Sequence, residues 1–273
     1  MGSEADVDIL IVLAVVVAVT AAIRSTWSPC GQSMLSTITP LAERTRHHRF
    51  GVTATWFVVG ATVGGATLGV GTAALAALLG ASVDVTSSGA LAIAAVLAAV
   101  AAASDLRLFG LQLPYHCRQV NELWLNRYRA WVYGAGFGWQ VGVGISTFIM
   151  TAGVYLLIAL AVLTTSPLAA LGIGIVFGLV RGLAVVPARR ITTPDALRRF
   201  HQRFDALGPW TRRSMIGVEL AVSLVAAVAA WGLVTTGVVT LGIAAVAAVA
   251  FTARRRPSRA DDAGVDPVGA ATR

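Results

Sequence analysis

The sequence predicts an all-α, polytopic membrane protein, a bundle of about seven transmembrane helices. Three observations predict it. Of 273 residues 56% are hydrophobic and only 12% charged, with a mean hydropathy of +0.76. A soluble domain carries roughly a quarter charged residues, and half of that cannot coat a globule in water. Uncharged runs of close to the ~20 residues that a bilayer core demands recur along the chain. The arginines of the connecting segments gather on one side once the runs are laid in alternation.

The apolar runs fall at about 9–23, 52–80, 89–104, 133–163, 167–186 and 215–252. The first is read as a retained helix, because Met1 to Asp8 is acidic where a secretory leader needs a basic start. The third is short and borrows Ser87, Ser88 and Gly89 at its outer end. The last is too long for one span, and a break over Gly232-Leu233-Val234-Thr235-Thr236-Gly237 divides it. The expected organisation is a transmembrane domain over 1–253, with halves at about 8–104 and 131–232 and an extra helix at about 237–252. A disordered cytosolic tail follows over 254–273.

Arginine placement supports that count. Alternating from an outside start, the inner segments carry Arg24, Arg44, Arg46 and Arg49, then Arg107, Arg118, Arg127 and Arg129. Arg189, Arg190, Arg198, Arg199, Arg203, Arg212 and Arg213 follow, and Arg254, Arg255, Arg256, Arg259 and Arg273 come last. The outer segments carry Glu4, Asp6, Asp8 and Asp84 and no Arg. This places the amino terminus outside and the carboxyl terminus in the cytosol. The net charge of +8 is therefore a topology signal, and nucleic acid is not an expected partner. All basic residues are Arg with no Lys, a habit of GC-rich genomes that points to a bacterial cell membrane.

Two inner loops are expected to be structured. Thr193 can cap a helix starting at Pro194 and stopping at Gly208, with Leu197, Phe200, Phe204 and Leu207 on one face, lying on the cytosolic leaflet. A second runs from about 117 to 132 with Trp124, Tyr128 and Trp131 as interfacial anchors.

Only Arg181 and Glu219 are ionisable within the expected spans, each four to six residues from the inner end of its helix. Either alone is costly there, so they are expected to pair and tie the fifth and sixth helices together; a gate or proton site is the functional alternative. Gly60, Gly64, Gly65 and Gly69, then Gly134, Gly138 and Gly142, then Gly174, Gly178 and Gly182 recur mostly four apart, which lets helix backbones approach. Tight packing accounts for them, and a moving transporter interface would use the same residues.

The most informative stretch is Trp27-Ser28-Pro29-Cys30-Gly31-Gln32-Ser33-Met34-Leu35-Ser36-Thr37. Pro29 lacks a donor and Gly31 loosens the chain, so a helix must break there. Such a break is tolerated only where it is buried in protein or lines a cavity. Cys30 sits at it, where freed backbone N–H groups can stabilise a thiolate. Gly136-Phe137-Gly138-Trp139-Gln140-Val141-Gly142-Val143-Gly144-Ile145-Ser146-Thr147 is a comparable place in the second half. Two Trp-led breaks, one in each half, are what inverted three-helix repeats would show.

Ser28-Pro29-Cys30, then Phe57-Val58-Val59-Gly60-Ala61-Thr62, then Gly138-Trp139 resemble the cytochrome c biogenesis and thiol–disulfide electron-relay family of membrane proteins (CcdA and the transmembrane part of DsbD), over roughly residues 8–230. The resemblance implies two membrane-embedded cysteines, each after a Pro. They would pass reducing equivalents from a cytosolic thioredoxin-like protein to thiol proteins outside. The first would be Cys30 after Pro29. The second would fall at Val141-Gly142, where there is none. A seventh helix is another departure from a family of typically six. Thiol exchange needs a partner to resolve the mixed disulfide, and Cys117 serves only if its loop folds against the break.

The first functional expectation is thus a redox carrier or accessory, with Cys30 as the reactive thiol and Pro29 beside it. The alternative is a small-solute transporter whose broken helices at Pro29 and Gly142 form the binding place, with Trp27, Gln32, Ser33, Trp139, Gln140, Ser146 and Thr147 along the pathway. A membrane subunit that only holds a partner is the third. No cofactor and no metal are expected. His116-Cys117 and His47-His48 lack the second spaced pair of a zinc site, and no Gly-Lys-Ser/Thr loop, nucleophile elbow or HExxH occurs.

Overall fold

The computed structural model describes residues 2–82, 86–108, 128–233 and 235–237. The regular structure among these is helical, with no strand. Five helices are long and apolar enough to cross a membrane, Glu4–Ser25, Phe50–Ser82, Ser87–Asp105, Pro167–Arg190 and Pro194–Trp231. The chain is a helical membrane protein. Cys117, Asp84, most of the expected helix at 117–132, the span expected after Gly237 and the tail lie outside the described residues.

Helix α1 (Gly2–Ser25) has Glu4 in its first turn and Arg24 in its last, each complementing the helix dipole. Two short helices follow, α2 (Pro29–Thr37) and α3 (Pro40–Thr45), each with Pro in its first turn and a Ser or Thr N-cap. Next come α4 (Phe50–Ser82) and α5 (Ser87–Asp105), the latter capped by Thr86. The fourth apolar run is not one span. It forms α6 (Ala130–Val143) and α7 (Gly153–Leu163), with irregular chain between them. Helix α8 (Pro167–Leu183) starts at the Ser166 cap, and a 3₁₀ turn follows over Val186–Arg190.

The last long helix, α9, runs unbroken from Pro194 to Trp231. Thr193 does cap its start, accepting from the Ala196 amide at 3.2 Å. The expected stop at Gly208 is wrong, because the helix continues through Pro209. The surface helix and the sixth span are therefore one element. A proline costs the helix one hydrogen bond, here the donor to the Asp205 carbonyl. Packing offsets that loss. Trp27 stacks on the Phe204 ring at 4.2 Å between centroids, and its indole N–H donates to the Phe204 carbonyl at 2.7 Å. Phe204 is consequently largely buried against Trp27.

The compact unit runs from Met1 to Trp231, and Gly232–Arg273 is a second unit. At the boundary Gly232 has φ +81°, a conformation that costs glycine little.

In the first unit α4 lies between α6 and α8, and α5 packs along α9, while α1 touches α7, α8 and α9. The glycine columns are the reason that α4 can be so closely flanked. A Cβ on Gly60 would stand 2.1 Å from the Ala135 carbonyl oxygen, and one on Gly138 would stand 2.1 Å from that of Phe57. On the other flank, a Cβ on Gly65 would stand 2.4 Å from the Gly174 carbonyl oxygen. Lipid supplies no hydrophobic drive between helices, so this backbone contact provides the attraction.

Candidate functional site

Both chain breaks lie at the same, arginine-rich end of the bundle. The first is a turn over Thr26–Ser28. Ser28 is fully buried, and its side chain accepts from the Gly31 amide at 3.2 Å. Pro29 thus begins a helix rather than interrupting one, in the position where a missing N–H costs nothing. Cys30 follows in the first turn of α2 and is buried at 2% exposure. Gly31 is required, since a Cβ there would fall 2.0 Å from the Thr26 carbonyl oxygen.

The second break spans 144–152, a few residues later than the Gly136–Thr147 stretch singled out in the sequence. Gly144 (φ +75°) ends α6. The exposed carbonyls of α6 are met from several sides. Ser146 donates to the Gln140 carbonyl at 2.8 Å and the Gly144 amide to that of Val141 at 3.2 Å. Arg181, only 2% exposed, donates through Nη1 to the Val141 carbonyl at 2.7 Å and to Thr147 Oγ1 at 3.4 Å. Its guanidinium also lies over the Phe177 ring. At the other side of the break Asp105 accepts from the Ala152 amide at 2.9 Å and from the Thr151 hydroxyl, which itself accepts from the Gly153 amide. A cation at the C-terminal end of α6 and an anion at the N-terminal start of α7 each complement the local helix dipole. The break is therefore a capped, structured feature.

Arg181 and Glu219 are not an ion pair, correcting the expectation. They belong to α8 and α9, neighbours in sequence that α1 separates in space. Arg181 is committed to the α6 terminus, although its Nη2 is buried without a hydrogen bond. Glu219 is fully buried with neither oxygen hydrogen-bonded among the described residues, and it lies within electrostatic reach of Asp105. Arg181 lies instead within electrostatic reach of Cys30.

Gly142 stands where the resemblance would put a second cysteine. A Cβ there would be 2.0 Å from the Ala61 carbonyl oxygen. The contact of α4 with α6 leaves no room for any side chain.

The expected pathway residues do not gather into one site. Gln32 is exposed and Ser33 half-buried, while Trp27 belongs to the α1–α9 contact. Trp139 is 42% exposed and donates to Thr67 Oγ1 at 3.1 Å. Gln140, Ser146 and Thr147 serve the end of α6.

A buried carboxylate that the sequence did not flag sits below this layer. Glu43 of α3 is fully buried and accepts from the hydroxyls of Thr53 and Tyr133 and, at 3.3 Å, from Arg46. Its position among Arg44, Arg46 and Arg49 reads as solvated loop. The one available signal was Thr39-Pro40, the N-cap and first residue of α3, which makes Glu43 part of a capped helix. A separate cavity of about 300 Å³ opens beside the second break, lined by Arg24, Asp105, Arg107, Phe148, Met150 and Arg212.

No protein-family profile matches the chain, and no solved structure matches it. Curated proteins do. The chain is 31% identical over 166 residues to the methylamine utilization protein MauF of Paracoccus versutus, 59% of either chain. It is 31% identical over 182 residues to MauF of Methylophilus methylotrophus, 63% of this chain and 61% of that one. To MauF of Paracoccus denitrificans it is 29% identical over 214 residues, 75% of each. The chain spans about three fifths of the length of the first two. It is a membrane-type helical protein similar to MauF at about 30% identity.

Proposed function

We propose that the protein is a thiol–disulfide relay component of a bacterial cell membrane, with Cys30 as its exchanging thiol, and that it acts in maturing an extracytosolic thiol protein. The observation that carries this reading is the burial of Cys30 in the first turn of α2, directly after the Ser28 cap and Pro29 at a break in the chain. A helix N-terminus is one setting in which reactive cysteines occur, and Cys30 stands in the first turn of α2. The likeness to proteins named for methylamine utilization is compatible with service to one such maturation.

A single membrane cysteine suffices if both partners bring dithiol chemistry. The Cys30 thiolate attacks an outer partner's disulfide, forming a mixed disulfide and releasing one partner thiolate, which takes up a proton. A thiolate of a reduced thioredoxin-like protein then attacks the Cys30 sulfur and releases the second outer thiol. The second thioredoxin-like thiol resolves that mixed disulfide, freeing Cys30. Two electrons pass outward per cycle, and the inner partner ends as a disulfide. Because Cys30 is buried toward the inner end of the bundle, the inner partner reaches it when the α1–α2 corner opens, and the outer partner only when the two halves part toward the outside.

The helix arrangement supports an inverted-repeat scaffold beneath this chemistry. The helices of the first half pack on their counterparts, α1 on α7, α4 on α8 and α5 on α9. The pairs α4–α8 and α5–α9 run antiparallel, because Gly65 faces Gly174 while Ala61 faces Gly178, and Ser223 meets Ala95 while Arg212 meets Asp105. An axis in the membrane plane generates that pairing. We further infer an outer amino terminus and an arginine-rich inner face.

The test is a trapping experiment in membranes carrying the intact chain. A thioredoxin lacking its resolving cysteine is expected to form a mixed disulfide with the wild type and none with Cys30→Ser. Equal trapping by both, or none by either, overturns the relay reading. Solute flux unchanged by Cys30→Ser would then favour transport.

A further inference from the structure

Two cavities meet where the 3₁₀ turn faces the first half of α9. Each has a volume of about 480 Å³, and Pro187, Phe200 and Arg203 line both. The first is lined by the exposed residues Arg189, Arg190, Arg199 and Arg203, and no acidic residue lines it. None of these four side chains makes a hydrogen bond or ion pair among the described residues, whereas the side chain of nearby Arg198 is held by Asp195 at 2.6 Å. Four like charges gathered on one small pocket repel one another unless an anion joins them.

The second cavity is of opposite character. Trp27, Leu35, Ala184 and Phe204 form its walls, and Ile23, Leu183 and Leu207 stand on it at 46%, 47% and 52% exposure. Those three are half-exposed aliphatic groups on membrane-type helices, so the groove is open toward lipid. A cationic pocket continuous with an apolar groove at the end of a helix bundle matches one molecule with an anionic head and a hydrocarbon chain. Basic pockets between transmembrane helices take phospholipid head groups for this reason. A soluble anion would fill the first cavity and leave the second wet.

We infer that this paired cavity is a binding site for an anionic phospholipid, its phosphate held by Arg189, Arg190, Arg199 and Arg203 and an acyl chain laid along Trp27, Leu183 and Phe204. The site stands on the contact of Trp27 with Phe204, so the lipid would also brace the corner that carries Cys30. The inference is independent of the thiol chemistry.

The experiment is native mass spectrometry of the delipidated full-length protein in detergent, titrated with phosphatidylglycerol, with phosphatidylcholine of the same chains, or with inorganic phosphate. Phosphatidylglycerol is expected to bind roughly tenfold or more tightly than phosphatidylcholine. Arg189→Gln with Arg190→Gln should lower phosphatidylglycerol affinity by a similar factor, at about a severalfold loss per arginine, and leave phosphatidylcholine unchanged. Arg199→Gln with Arg203→Gln provides a second pair if the first melts early. Ala184→Trp, which fills the groove, should weaken both lipids, and Arg198→Gln should alter neither. Equal binding of the two lipids overturns the site. So does an Arg198→Gln loss as large as that of a pocket pair, which would mean diffuse surface charge. Tight inorganic phosphate binding, with phosphatidylglycerol unaffected by Ala184→Trp, would make it a site for soluble anions and overturn the lipid assignment.

Discussion

At the scale of single residues, Gly142 shows how a missing side chain can be structural. The sequence shows only that no second cysteine follows the Gly-Trp stretch. The structure adds that the Ala61 carbonyl occupies the place of any Cβ. Gly142→Cys should therefore destabilise the protein by about 1–3 kcal/mol or more, as overpacking of a tight core does. Gly172→Ala, at a helical glycine with nothing within 4 Å, should be neutral or stabilising by up to about 1 kcal/mol. Thermal unfolding in detergent compares them, and a Gly142→Cys variant as stable as the wild type would refute the packing account. Arg181 and Glu219 were legible as exceptional because hydropathy singles out any charge within an apolar run. Their partners were not legible, since a partner depends on which helices touch. Glu43 was invisible for the converse reason. Among arginines an acid reads as solvated, and only the placement of Thr53 and Tyr133 shows that it is buried.

At the scale of elements, the break between α6 and α7 is stabilised by charges borrowed from other helices. Asp105, the last residue of α5, performs the work of an N-cap that Ala152 cannot. Asp105→Ala should cost about 1–2 kcal/mol, the upper range for losing a cap. It should also speed amide exchange over residues 152–156 more than elsewhere; uniform exchange changes would show that the cap is not what holds α7. Part of this was readable. The glycine-rich stretch ahead of Thr147 foretells a weak helix, but the position of the break is set by Arg181 and Asp105, which lie far off in sequence. Gly208-Pro209 misled in the opposite direction. Local rules read it as a stop, yet one lost hydrogen bond is less than the Trp27–Phe204 contact and the continuity of the helix supply.

At the scale of the whole molecule, the asymmetry of arginine carries the topology. With Cys30 and Cys117 replaced by Ser, a lone cysteine at Ser82 should react with a membrane-impermeant maleimide in intact cells. One at Arg198 should react only after permeabilisation. The reverse pattern would invert the orientation, and reaction at both positions would require a different number of crossings. Both sites are exposed, so access and not burial decides the result.

The sequence alone determined that the chain is helical and membrane-embedded and roughly where its apolar helices lie, and it predicts that the arginines of its connecting segments share one face. Those properties are sums along the chain, because transfer to lipid and attraction to one face are counted residue by residue. Only the tertiary structure decided that Arg181 caps α6, that Glu219 stands apart from it, that Gly142 admits no side chain and that four arginines border an apolar groove. Each of these depends on which surfaces come within a few ångströms of one another. Helix packing sets that by shape, and the shape is spread over residues far apart in the chain.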